Sequence, residues 1–161
     1  MPDMSLLQFI GHVGRFDYRL RELQERGMEH VAKIVEAEAK RELGTYQRGN
    51  NGPFADWAEL ADRTKDERVQ LDYAENEPGL REGDMRDSIN HVSDRENAVV
   101  GSDDDKMVWF ECGTTHQPPR SVLGVAVVHK EREIVDILGK AVVTALVGRN
   151  VFPGGIPIKG P

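Results

Sequence analysis

Apolar residues recur along this chain at two different spacings, and the spacings mark out its elements. From Phe16 to Leu43, the residues Phe16, Leu20, Leu23, Val31, Ile34 and Val35 return at three- and four-residue steps. That spacing puts them on one face of a helix. Acid-first pairs four residues apart, Glu22–Arg26 and Glu29–Lys33, support the same helix across its polar face. Gly27 weakens it and Gly44 suits its C-terminal end. Met4–Val13 reads as a shorter apolar piece, a helix or docking arm, set apart by Gly11 and Gly14.

Residues 44–77 read differently. Arg48-Gly-Asn-Asn-Gly-Pro is a run of turn formers. Trp57, Leu60 and Ala61 form one apolar patch, and the rest is polar with weak helical periodicity near Lys65–Leu71. The expectation is an extended arm. Beyond Pro78–Gly79 the spacing shortens. A helical turn ends near Met85, Ser88 and Ile89 lead into a strand over Asn90–Ser93, and Ala98–Ser102 forms a second strand across the turn Asp94-Arg-Glu-Asn. Asp103–Lys106 reads as another turn and Met107–Glu111 as a third strand, with Val108 and Phe110 on one face. Ser121 caps a short helix to Val128, and Glu131–Val147 is a second helix whose stripe runs through Ile134, Leu138, Val142, Ala145 and Leu146. Val135, Ile137 and Val143 widen that stripe, which predicts burial on most sides. The tail from Val151 is apolar but rich in Gly and Pro, an arm laid on a neighbour or a frayed end. The order of elements predicts an α+β fold, a small antiparallel sheet packed against a long N-terminal helix and a C-terminal helix, with an extended arm at 44–77 and a C-terminal arm at 149–161, all as one domain.

Charge adds a division. The chain of 161 residues carries a net −7. Residues 56–111 hold 17 acids against seven bases, while residues 120–161 hold six bases against three acids. An acidic middle argues against binding nucleic acid by phosphate neutralisation. No run of about 18 apolar residues suggests a membrane span. A single cysteine, Cys112, leaves no internal disulfide and points to a reducing compartment.

The reactive groups do not form a recognisable constellation. Cys112 and His116 lie four apart, but a nucleophilic cysteine needs an oriented base and an activating setting that the sequence does not signal. A small buried hydrophobe is the plain reading of Cys112. The histidines His12, His30, His91, His116 and His129 are scattered, without the paired spacings of a zinc site. Asp103–Asp105 lacks the alternation of a calcium loop, and no phosphate-cradling glycine loop occurs. The expectation is no catalytic residue, no metal and no cofactor.

One ordered series stands out. It runs Trp57-Ala-Glu-Leu60; Leu80-Arg81-Glu-Gly83-Asp-Met85-Arg86-Asp-Ser88-Ile89; Val100-Gly101-Ser102; Phe110-Glu111-Cys112-Gly113-Thr114; and Pro118-Pro119-Arg120-Ser-Val-Leu123. Over about residues 16–146, it resembles the tail-completion, or head–tail joining, proteins of long-tailed bacteriophages, also known as virion morphogenesis or minor tail component proteins. The chain departs from that family's pattern at Glu82, Met85, Cys112 and Ser121-Val122. The resemblance implies a structural virion protein of the neck or upper tail, assembled in the host cytoplasm, in a phage or a gene transfer agent. It implies a homo-oligomeric ring, commonly a hexamer, touching other neck and tail proteins, with DNA passing through the lumen unbound and no membrane involved. The residues expected to shape the subunit and its contacts are Arg81, the turn glycines Gly83, Gly101 and Gly113, Thr114, and Pro118, Pro119 and Arg120 at the start of the last helices. Arg86 and Glu111 are candidates for an ion pair, and Phe152 and Ile156 for contacts of the tail. A tail terminator capping the tube is the alternative within the same particle. A small cytoplasmic Cys112/His116 enzyme is the alternative of another class.

Overall fold

A computed structural model describes residues 5–147. The predicted C-terminal arm, with Phe152 and Ile156, lies outside the described residues. The fold is α+β and mostly helical: α1 (Leu6–Glu42), α2 (Asp62–Gln70), α3 (Asp84–Asp87), β1 (Ile89–Ser93), β2 (Ala98–Ser102), α4 (Asp105–Cys112) and α5 (Leu123–Val147). The two strands form one antiparallel sheet. The chain divides into two compact units. Among the described residues, unit 1 takes those up to Val31, the hairpin tip Ser93–Ala98 and those from Arg132 to Val147; unit 2 takes Ala32–Val92 and Val99–Glu131.

Helix α1 begins ten residues earlier than its stripe suggests. The Ser5 hydroxyl accepts from the Gln8 N–H at 3.3 Å and the Gln8 side chain accepts from the Ser5 N–H at 2.9 Å. This reciprocal cap satisfies two otherwise orphaned donors and offsets the roughly 1 kcal/mol that each of Gly11 and Gly14 costs in a helix. The hairpin follows the sequence closely. Asp94 Oδ1 accepts from the N–H groups of Glu96 and Asn97 at 2.7 and 2.8 Å, which closes the turn.

Three elements differ from expectation. Met107–Glu111 is not a strand but part of helix α4. The acids before it do not decorate a hairpin turn: Asp104 is the N-cap, accepting from the Lys106 N–H at 2.9 Å. Met107 and Phe110, three apart, are therefore buried together, while Val108 and Trp109 face outward. The two predicted C-terminal helices are one continuous helix of 25 residues. Residues 44–77 are not an extended arm. They carry α2, and they bury Trp57, Asn51 and Arg68 within unit 2.

Unit 1 has a small core of Leu23, Ala141 and Ala145, flanked by Phe16 and Leu20. The predicted burial of α5 on most sides does not hold here. Ile137, Ala141 and Ala145 are buried, but Val135, Val142, Val143 and Leu146 are exposed, as are Leu6, Leu7, Phe9, Ile10 and Val13 on α1. Unit 2 has the larger core: Ala32, Val35, Ala39 and Leu43 of α1 belong to it, with Trp57, Met85, Ile89, Met107, Phe110, Val122, Val125 and Ala126.

Candidate functional site

The segments of the ordered series converge in unit 2. Trp57 stacks edge-on against Phe110, with centroids 5.4 Å apart and an interplanar angle of 83°. Its indole N–H donates to the Ser121 carbonyl at 3.1 Å. Arg120, only 3% exposed, donates from Nε and Nη2 to the Ala58 carbonyl at 3.0 and 2.7 Å and from Nη2 to the Glu59 carbonyl at 3.1 Å. Its own N–H donates to the Phe110 carbonyl at 2.8 Å. A buried guanidinium held by carbonyl dipoles lies below its usual pKa because of desolvation. Arg120 thus ties the Trp57 segment to the end of α4.

Glu111 performs the matching task for α5. Its Oε1 accepts from the Ser121 hydroxyl at 2.5 Å and from the Gly124 N–H at 3.2 Å; its Oε2 accepts from the N–H groups of Val122 and Leu123 at 2.7 and 3.1 Å. A carboxylate at a helix N-terminus satisfies the orphan donors and faces the positive end of the dipole. The expected Glu111–Arg86 pair is therefore replaced: Arg86 pairs with its neighbour Asp87 at 2.9 Å.

Gly113 ends α4, a helix rather than the expected strand, at φ 73°. A Cβ there would lie 2.7 Å from the Pro119 nitrogen and 2.9 Å from the Gln117 carbonyl, so both backbone conformation and space call for glycine. Thr114 follows it, with its hydroxyl accepting from the His116 and Gln117 N–H groups at 3.2 and 3.1 Å. Pro118 and Pro119 are exposed and lead into buried Arg120. Gly83 is left-handed and precedes α3. Gly101, expected at a turn, lies inside β2 with open space around it. Arg81 sits 4.8 Å over the Tyr73 ring and 3.5 Å from Glu67. With Gly83, Lys106, Trp109 and Gln117 it lines a cleft of about 380 Å³. Cys112 is exposed, not the small buried hydrophobe expected of it.

Two arrangements were not apparent from sequence. Arg68, in the polar stretch, is buried and donates to the Ala74 and Leu80 carbonyls at 2.9 and 3.2 Å, holding the loop between them. Glu38 and Glu42, one turn apart on α1, are 4% and 2% exposed and lie together with His129 of α5. Burial pushes the Glu42 carboxyl up to about 8, with the charges of Glu38 and Glu111 adding to the effect. The sequence signal for this cluster was a pair of acids interleaved with Val35, Ala39 and Leu43 on the apolar face. No helix among the described residues is long and apolar enough to cross a membrane.

No protein-family model, curated protein or solved structure matches the chain.

Proposed function

We propose that this chain is a structural subunit of the neck or upper tail of a long-tailed phage or phage-like particle, assembling with copies of itself into a ring around the DNA channel. The observation that carries the reading is the ordered series from Trp57 to Leu123. Trp57, Phe110, Glu111, Gly113 and Arg120 of that series brace one another within unit 2. Assembly draws support from unit 1, where Val135, Val142, Val143 and Leu146 of α5 are solvent-exposed in the single chain. Apolar side chains grouped in this way mark surfaces that neighbours cover. A ring closed by head-to-tail contacts needs two different faces on each subunit, and the acidic middle and mildly basic C-terminal part provide an asymmetry for them.

Electron microscopy of particles made without the chain tests the reading. Filled heads and separate tails are expected. Normally joined particles overturn it.

A further inference from the structure

We propose that Glu38, Glu42 and His129 form a binding site for a divalent transition-metal ion, zinc by preference, inside unit 2. The three side chains offer two carboxylates and one imidazole whose ligand atoms all lie within 4.8 Å of one another. His129 Nδ1 is 3.0 Å from Glu42 Oε1 and 3.6 Å from Glu38 Oε1. Ligand atoms around a tetrahedral zinc, with bonds of about 2.0 Å, stand roughly 3.3 Å apart. The two measured separations bracket that spacing.

The second and independent observation is Glu42 itself. It is 2% exposed, and neither carboxylate oxygen accepts a hydrogen bond. His129 Nδ1 lies at ion-pair distance, 3.0 Å from Oε1, but makes no hydrogen bond to it. A buried carboxylate without hydrogen bonds is costly, and such groups are ordinarily paired or bound to a metal. Glu38 differs: Arg41 donates to both of its oxygens, and Lys130 Nζ lies 3.8 Å from Oε2. These cations leave lone pairs on Glu38 for a metal and hold its carboxylate in place, as supporting partners do in metal sites.

The donor set selects the ion. One imidazole and two carboxylates suit zinc and its neighbours among divalent transition metals. Calcium wants six to eight oxygens, more than this site supplies. His129, 21% exposed at its side chain, is the most open of the three groups, and a water can complete the coordination.

The test uses the full chain, stripped with a chelator and titrated with zinc against a chromogenic competitor. One zinc per chain is expected. Glu42→Gln and His129→Gln should each weaken binding by at least the roughly 10–100-fold that follows loss even of a metal site's supporting partners. Glu42→Gln replaces a buried carboxyl that makes no hydrogen bond with a neutral group of the same shape, so its fold, checked by circular dichroism, should survive; His129→Gln, at a half-buried position, provides the second measure. A control with Cys112→Ser and His116→Ala together should bind zinc as before. Failure of the stripped wild-type chain to take up zinc overturns the site. So does undiminished binding in both variants, or loss of binding in the Cys112/His116 control.

Discussion

Glu111 Oε2 accepts the N–H of Val122 at 2.7 Å, so the end of α4 caps the start of α5. The same carboxylate serves Leu123, Gly124 and the Ser121 hydroxyl. Glu111→Ala strands these donors in a partly buried place. Hydrogen bonds to a charged group contribute about 1.5–3 kcal/mol net and do not add fully, so the variant should lose about 2–3 kcal/mol in urea unfolding. Glu111→Gln, which keeps one acceptor oxygen, should lose less. Equal stability of Glu111→Ala and wild type would exclude the capping role.

Arg120→Lys preserves charge but not shape. The fork that reaches the Ala58 and Glu59 carbonyls is replaced by a single ammonium, which a buried site solvates poorly. We expect a loss of about 2 kcal/mol, read as a lower thermal midpoint. Unchanged stability would mean that the fork does not hold the Trp57 segment.

Two glycines should respond to alanine with opposite signs. At Gly113 the added Cβ meets Pro119 and Gln117 backbone atoms inside 3.0 Å at a φ of 73°, a conformational strain of about 1–3 kcal/mol before any clash is counted. At Gly27 the Cβ lies 3.6 Å from Leu138 and 3.9 Å from Ala141, ordinary contact within unit 1. There alanine should stabilise α1 by about 1 kcal/mol, through helix propensity. Denaturant midpoints moving in opposite directions are the expected result.

Acid should remove one interaction selectively. Hydrogen bonding from Lys40, then from His91, holds the Glu36 carboxyl below its ordinary value of 4.5. A carboxyl with a lowered pKa in the folded chain adds stability above its unfolded value, and this is lost as pH falls through the folded one. Wild type should therefore exceed Glu36→Gln in stability above about pH 5, with the gap closing as pH falls further. A gap that stays constant into strong acid would rule out this linkage.

The proposed assembly can be tested apart from folding at Leu146. It is 61% exposed in the single chain, so Leu146→Glu should change subunit stability by no more than about 0.5 kcal/mol. If α5 lies in a subunit interface, the same change buries a charge there. Native mass spectrometry should then show the proposed ring for wild type and monomer for the variant. A ring that persists would remove this face of α5 from the interface.

The local pattern alone determined α1 through most of its length, the hairpin with its Asp94 turn, and the α+β class, because each rests on periodicity or turn chemistry between near neighbours. The family resemblance added Glu111, Gly113 and Arg120 to the Trp57 patch as residues that shape the subunit, and offered Arg86 as the partner of Glu111. The segment after Asp104 is eight residues of mixed spacing, too short for period to separate strand from helix. Capping by Asp104 and joint burial of Met107 and Phe110 decided it. Tertiary structure alone brought Glu111 to α5 rather than Arg86, folded residues 44–77 around Trp57 and Arg68, and set His129 beside Glu38 and Glu42. The physical reason is common to all three. A charged side chain's partner is chosen by which backbone ends and carboxylates packing brings within about 3 Å, and no spacing along the chain encodes that distance.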